Sequence, residues 1–188
     1  MNIIVRTCSG KYIVRPDTTW ERDSEDFYPP EFIDGLSWVP VLFARISRPG
    51  RSVGERFADR YFDGVGYGLL LYPDDLMDGE CGLACASCLD HTSFLPFPVF
   101  DKAETGREFR LDITDGNGRR QLFCAADAVD SVFRKTIAEA TRFIYIRTGD
   151  LVAIELQSRQ PLCSRKDSRI HLEGCFGDTA TLDFNIVF

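Results

Sequence analysis

The chain has 188 residues, of which 44% are hydrophobic, and a formal net charge of −7 at pH 7. This size suits one core, so we predict a single domain over residues 1–188. The acidic balance argues against a nucleic-acid partner, and no apolar run approaches the ~20 residues that a membrane-spanning helix needs. The start lacks a signal-peptide pattern and the seven cysteines are irregularly spaced, so we expect a cytoplasmic protein with reduced thiols.

Three short strands are predicted in the first half of the chain. Residues 11–14 alternate weakly between apolar and polar side chains, whereas residues 39–46 are apolar and β-branched. Pro40 has no backbone N–H, so we expect it at a sheet edge or at the start of its strand. A third strand, over residues 69–72, is predicted to follow three glycines that break regular structure, Gly64, Gly66 and Gly68.

A helix is predicted between the second and third of these strands. Pro49-Gly50 indicates a turn, and Ser52 with Glu55 three residues later has the spacing of a capping box. A helix over residues 53–61 would place three apolar side chains on one face, Val53, Phe57 and Tyr61.

The second half is predicted to contain a hairpin and two closing strands. Residues 109–114 alternate, residues 115–118 read Asp-Gly-Asn-Gly, and residues 119–123 return as the partner strand. Cys124 lies in an apolar context and is expected to be a small buried side chain. The closing strands are expected at residues 151–156 and 182–188.

One amphipathic helix is predicted over residues 126–141. Asp127 or Asp130 would favour its start through the helix dipole. Its inward side chains would be Val129, Val132, Phe133, Ile137 and Ala140. Together these elements predict a mainly β, mixed α+β chain with a few short helices.

Several segments carry a family resemblance. Residues 44–63 read ARISRPGRSVGERFADRYFD, a strand, a basic turn and a helix. Shorter matches are Arg15-Pro16-Asp17-Thr18, Phe27-Tyr28-Pro29 and residues 147–151, 171–174 and 182–184. Taken in chain order, these segments resemble the fumarylacetoacetate hydrolase family over nearly the whole length of the chain. The resemblance implies the β-sandwich or roll of that family's C-terminal domain, and a homodimer.

The resemblance also implies a divalent metal, Mg²⁺ or Mn²⁺, held by three acidic side chains. Aligned on this sequence, those positions are Val39, Val41 and Leu70. Hard cations need oxygen ligands, which aliphatic side chains do not provide. We therefore expect no metal cofactor at the family position.

Other catalytic features of the family are missing as well. Ser87 stands where relatives carry a lysine, although Asp90 of the same segment is kept. No histidine occurs in the N-terminal segment, and residues 154–157 replace a Thr-Gly-Thr-Pro motif. These losses predict a pseudoenzyme that binds a ligand or a partner. The alternative is a metal-dependent hydrolase, decarboxylase or isomerase of 2-keto-acid or acylpyruvate-like substrates.

Five residues are candidates for a ligand site. Arg15, Asp17 and Thr18 would border the family pocket, where the Arg15 guanidinium suits a small carboxylate ligand. In the competing interpretation, Pro16 shapes a turn and its neighbours make surface contacts. Asp90 and His91 are adjacent and suit acid–base work or an ordinary loop.

Two further clusters suggest metal chemistry. Asp74 and Asp75, with Asp78 and Glu80, form either a replacement cation site or a solvated acidic loop. Cys81, Cys85 and Cys88 have the spacing of an iron–sulfur motif, and with His91 they would offer zinc ligands. Incidental small thiols are the plainer interpretation. His171 lies in a family-like strand and is expected to be structural.

Overall fold

Two β-sheets form most of the molecule, and the predicted fold class is confirmed. The computed structural model describes residues 1–101, 107–125 and 130–188. Its two α-helices are α1 (Gly82–Ala86) and α2 (Asp130–Ala140). Its strands are β1 (Asn2–Arg6), β2 (Tyr12–Pro16), β3 (Trp20–Glu21), β4 (Gly35–Ile46), β5 (Phe62–Pro73), β6 (Ser93–Phe94), β7 (Phe109–Asp115), β8 (Gly118–Ala125), β9 (Leu151–Glu155), β10 (Gln160–Ser164), β11 (Arg169–Phe176) and β12 (Thr179–Val187).

The large sheet is mixed and the small sheet is antiparallel. The large sheet has the order β2-β1-β9-β4-β5-β6-β3, with β10 paired to β4. Strand β1 runs parallel to β9, and the two longest strands, β4 and β5, form the antiparallel centre. The small sheet has the order β12-β11-β7-β8.

The main core lies between the two sheets. The rings of Phe94 and Phe184 stack with centroids 3.7 Å apart, and those of Tyr67 and Phe109 with centroids 4.9 Å apart. Each pair joins one sheet to the other, and all four side chains are buried. Such stacked rings add to the stabilisation from burial, by about 0.5–1.5 kcal/mol per pair.

Helix α2 closes one end of this core. Phe133, Ile137 and Ala140 are fully buried, as predicted, but Val132 is 38% exposed and does not face inward. Val132 immediately precedes Phe133, so the helical rotation of 100° per residue turns it away from the buried stripe. The predicted beginning of this helix, with Asp127 and Val129, lies outside the described residues, as does the side chain of Asp130.

The glycines before residue 69 lie inside strand β5. A Cβ atom on Gly66 would lie 2.6 Å from the Phe43 ring, and one on Gly68 would lie 2.2 Å from the Phe94 carbonyl oxygen. The glycines therefore permit close packing on one face of a long strand. The predicted strand over residues 69–72 is confirmed and buried, but it begins at Phe62, because the glycines lie inside the strand and do not break it.

Pro40 occupies an interior position, so the prediction of a strand edge or start was wrong. It pairs with Leu69 across β5, and its carbonyl accepts the Leu156 N–H at 3.0 Å. On that side of β4, pairing with β10 ends at Trp38 and pairing with β9 begins at Val41. The missing N–H therefore lies at the junction between β10 and β9, beyond the last paired residue of each strand.

The predicted helix over residues 53–61 is a shorter 3₁₀ helix, Glu55–Arg60, without a side-chain cap. The predicted capping box is absent because Ser52 has a φ of 52° and its N–H donates to the Thr141 carbonyl. With three residues per turn, Ala58 becomes the buried residue and Phe57 is 40% exposed.

The predicted hairpin is confirmed as β7 and β8, which pair from Asp115 opposite Gly118. Cys124 is exposed, contrary to the prediction, because β8 forms an edge of the small sheet. All seven cysteines have free thiols. Within the described ranges, no helix is long and apolar enough to cross a membrane.

Candidate functional site

Val39, Val41 and Leu70, which the resemblance aligns with metal ligands and which are called the family metal positions below, meet on one face of the large sheet. Val39 on β4 pairs directly with Leu70 on β5, and Val41 lies two residues further along β4, opposite Gly68. All three side chains are 0% exposed. They belong to one apolar cluster, which also contains Ile3, Val5, Phe43, Tyr72, Ala86, Leu95, Leu151 and Ala153.

Aromatic rings cover this cluster. The Phe97 ring packs edge-on against Trp20, with centroids 5.0 Å apart, and stacks on Phe43 at 6.4 Å. The Trp20 indole N–H donates to the Leu95 carbonyl at 2.8 Å, which holds the indole in place. The protein's own side chains thus fill the space above the family metal positions.

The donor set at these positions does not fit a divalent cation. Valine and leucine carry no oxygen atoms, and Mg²⁺ and Mn²⁺ require oxygen ligands. Across residues 1–101, 107–125 and 130–188, no group of three or more His, Cys, Asp or Glu side chains is arranged to hold a metal ion.

Arg15 is the polar centre of this region, and it is completely buried. Its Nη1 donates to the Thr92 carbonyl at 3.0 Å and to Ser93 Oγ at 2.7 Å. Its Nη2 donates to the Leu71 carbonyl at 2.6 Å. Since β2 and β6 lie near opposite ends of the large sheet, these bonds hold the curled sheet closed.

The guanidinium of Arg15 has no carboxylate partner among the described residues. Instead it lies 4.5 Å from the centroid of the Tyr72 ring, and its Nε has no hydrogen-bond partner. Burial lowers the pKa of Arg15, and electrostatic interactions with Tyr72 and Glu155 oppose the shift. The interpretation of Arg15 as a surface contact was wrong, because its contacts are interior.

Tyr72 links Arg15 to Glu155, and neither Tyr72 nor Glu155 was predicted from the sequence. Its hydroxyl donates to Glu155 Oε1 at 2.8 Å, and the Arg159 guanidinium lies 5.1 Å from its ring centroid. Burial raises the pKa of Tyr72, and Glu155 raises it further. The alternation of β5 offered a signal, since Leu70 and Tyr72 are two residues apart and share a face.

Asp17 and Thr18 do not join Arg15. The Asp17 carboxylate is exposed and lies 3.6 Å from the amino terminus, and Thr18 is exposed as well. The next residue, Thr19, is buried instead, with its hydroxyl 2.9 Å from Ser93 Oγ. Of the three candidates, only Arg15 enters the apolar region.

Asp90 and His91 line a separate cleft of about 440 Å³. His91 Nδ1 lies 3.1 Å from Oε2 of Glu21, a buried carboxylate that also accepts the Asp23 N–H. Glu21 follows Trp20 on β3, so its side chain leaves by the face opposite the apolar cluster. The structure therefore does not bring His91 and Arg15 together.

The two carboxylates of the possible replacement cation site accept hydrogen bonds from residues at and before the start of β4. Asp75 Oδ2 accepts the N–H groups of Asp34 and Gly35 at 2.8 and 3.2 Å, and these bonds lower the pKa of Asp75. Asp74 Oδ1 accepts the Ser37 hydroxyl at 2.5 Å. Both side chains thus fasten the start of β4 to the end of β5.

The cysteine motif lies on the surface around α1. Cys81, Cys85 and Cys88 are all exposed, and among the described residues they do not form a metal-holding group with His91. His171 lies on the small sheet, where its Nδ1 is 3.2 Å from Asn185 Oδ1.

Comparison with solved structures identifies the fold. The fold is similar to that of a fumarylpyruvate hydrolase from Pseudomonas aeruginosa, which was solved with Mn²⁺ and pyruvate. The two structures superpose over 100% of this chain with a TM-score of 0.76. The match covers 90% of that enzyme at 14% identity. The chain has the fumarylacetoacetate hydrolase fold.

Other structures with the fumarylacetoacetate hydrolase fold match equally well. A protein from Yersinia pestis CO92, provisionally named for this family, gives a TM-score of 0.74 at 17% identity. That match covers 99% of this chain and 92% of the Yersinia protein. No family model and no curated protein matches the sequence. The structural matches therefore establish the fold, with sequence identity too low to carry an activity across.

Proposed function

We propose that this protein is a noncatalytic member of the group of proteins built on the fumarylacetoacetate hydrolase fold, and that it acts by binding. The observation that supports this is the apolar cluster around Val39, Val41 and Leu70, all fully buried. A metal site needs oxygen ligands open to the ion and its substrate. Here the same positions exclude water and contribute to the hydrophobic core.

The Arg15 interactions support the same proposal. Both terminal nitrogens of its guanidinium donate to Leu71, Thr92 and Ser93, so the cation in this region holds the sheet together. Phe97 and Trp20 also pack on the apolar cluster that contains Val39, Val41 and Leu70. A small carboxylate ligand at Arg15 would have to displace these contacts.

The proposal is tested by measuring both metal binding and turnover. We expect no heat of Mg²⁺ or Mn²⁺ binding by calorimetry, and no cleavage of acylpyruvate substrates above the rate without protein. The Pseudomonas fumarylpyruvate hydrolase, assayed in parallel, serves as the positive control. Turnover that EDTA abolishes and Mg²⁺ restores would overturn the proposal.

The alternative is a metal-dependent hydrolase, decarboxylase or isomerase with a rebuilt site. It requires Asp74, Asp75 or Asp90 to bind the ion, although the first two carboxylates already accept bonds from residues 34–37. Loss of an EDTA-sensitive activity in Asp74→Asn, Asp75→Asn or Asp90→Asn would select this alternative. Metal analysis of protein purified without chelator tests the iron–sulfur or zinc interpretation of the cysteines.

We further propose a homodimer located in the cytoplasm. The large exposed side chains Tyr28 and Phe32 provide apolar area for a subunit interface. Light scattering across micromolar concentrations is expected to give twice the chain mass of 21.3 kDa. A mass of one chain at every concentration would refute the dimer.

A further inference from the structure

Six exposed arginines lie on two segments, residues 48–60 and 142–147, whose backbones are hydrogen-bonded to each other. Gly50 and Ile146 exchange two backbone bonds of 3.0 and 3.1 Å, and the Ser52 N–H donates to the Thr141 carbonyl at 2.8 Å. These bonds place a basic turn, the 3₁₀ helix after it and the loop after α2 side by side. The arginine surface consists of Arg48, Arg51, Arg56, Arg60, Arg142 and Arg147.

The arginine surface lacks the ion pairs that other arginines of this chain make. Elsewhere, Arg45 Nε lies 2.9 Å from the Asp63 carboxylate, and similar pairs involve other exposed arginines. Within the part of the chain that the structure describes, no member of the arginine surface has a carboxylate within 4.0 Å. Arg56 and Arg60 instead lie 4.5 and 5.5 Å from the Phe57 ring centroid.

This lack of partners is unexpected in an acidic protein. The chain has 29 acidic and 22 basic residues, so carboxylates are in excess. Glu55 is the acidic side chain nearest in sequence to Arg56, and it is exposed. Clustered guanidinium groups repel one another, and an external anion would relieve that repulsion.

Exposed aromatic rings lie among these arginines. Phe57 is 40% exposed, Phe143 60% and Tyr145 50%. Arginine and tyrosine are enriched at protein interfaces and at their energetic hot spots, whereas lysine is depleted. Glu55, Lys135 and Glu139 line a cleft together with Arg142. Around this cleft, the arginines and aromatic rings give the composition of a protein-binding surface.

We propose that the arginine surface binds an acidic, partly apolar surface of another protein. A compact partner would interact electrostatically with these arginines alone, because charges more than about 8 Å away are screened at physiological ionic strength. An extended polyanion would continue past them over a molecule whose net charge is −7, which repels it. Two copies of the same surface would also repel each other.

Fluorescence anisotropy tests this with a glutamate-rich peptide that contains tyrosine and is short enough to contact the arginine surface alone, beside the same peptide with glutamine for glutamate. The wild-type protein is expected to bind only the glutamate peptide, and more weakly as salt is raised. A variant with Arg51→Gln, Arg142→Gln and Arg147→Gln is expected to bind about tenfold more weakly, at ~0.5 kcal/mol per exposed charge contact. Tyr145→Ser is expected to weaken binding as well.

A matched variant controls for net charge. It replaces the same number of exposed arginines outside the arginine surface, and it should bind the peptide within about twofold of the wild type. Its substitutions are Arg22→Gln, Arg120→Gln and Arg169→Gln. Thermal unfolding of both variants verifies that each is folded.

Several results would overturn the proposal. The first is that the wild-type protein does not bind the glutamate peptide, and the second is that it binds the glutamine peptide equally well. The third is that both arginine variants lose the same amount of affinity for the glutamate peptide. Tighter binding of a single-stranded oligonucleotide or of anionic lipid vesicles would assign the surface to another class of partner. Dissociation of a dimer by the arginine-surface variant would assign it to a second copy of the chain.

Discussion

Replacing Arg15 tests whether its guanidinium holds the curled sheet closed. In Arg15→Lys the positive charge remains, but a single ammonium cannot reach the Leu71 carbonyl on one side and Ser93 Oγ on the other as the planar fork does. Both cations are buried without a carboxylate, but the ammonium is more strongly hydrated than a guanidinium and would make fewer hydrogen bonds, so its burial costs more. We expect Arg15→Lys to lower the free energy of unfolding by about 3–5 kcal/mol, the range for a buried charge left without its partners.

Arg15→Met should cost less, about 1–3 kcal/mol, although it removes the charge entirely. The Leu71 carbonyl loses its Arg15 donor, and an unsatisfied buried acceptor costs about 1–3 kcal/mol. The Thr92 carbonyl keeps the Leu71 N–H at 2.8 Å, and Ser93 keeps the Thr19 hydroxyl at 2.9 Å. Methionine also avoids the desolvation cost of a buried cation, which offsets part of the loss.

Urea unfolding followed by tryptophan fluorescence measures both variants, since Trp20 packs on the apolar cluster beside Arg15. Arg22→Met is the control, because Arg22 is 62% exposed and should change stability by less than about 0.5 kcal/mol. If Arg15→Lys were as stable as the wild type, the geometry of the guanidinium would not matter and the reasoning would fail.

Three further predictions concern strand β5 and the thiols. Gly68→Ala should destabilise the protein by about 1–3 kcal/mol, because its Cβ would lie 2.2 Å from the Phe94 carbonyl oxygen. The control Gly116→Ala places its Cβ in open space and should be near neutral. Equal denaturation midpoints for the two variants would contradict this prediction. Burial raises the pKa of the Cys163 thiol from 9.0 to about 12, so the folded state favours the protonated thiol. The stability that this preference contributes is complete below pH 9 and is lost as pH rises towards 12. Cys163→Ala should therefore flatten the fall in stability across that range, by at most ~1.4 kcal/mol per pH unit, and an unchanged slope would refute the assignment. Iodoacetamide at neutral pH should alkylate the exposed Cys85 well before Cys163, as peptide mass analysis would show.

The sequence determined the elements whose causes are local. The hairpin of β7 and β8 follows from Asp-Gly-Asn-Gly at residues 115–118, where turn chemistry acts within four residues. The buried stripe of Phe133, Ile137 and Ala140 follows from helical spacing alone. The burial of Val39 and Leu70 likewise follows from their aliphatic character and from the strands that carry them.

The tertiary structure decided every feature that depends on a distant neighbour. Arg15 is buried because β6 and β5 present two carbonyls and a hydroxyl to it, at residues 56 to 78 positions away in the chain. Pro40 lies inside β4 at the position where the partner strand changes from β10 to β9, outside the paired residues of both. Phe57 is exposed because the segment winds as a 3₁₀ helix, whose shorter period points Ala58 inward instead. In each case the local pattern allows several outcomes, and contacts far apart in sequence select one of them.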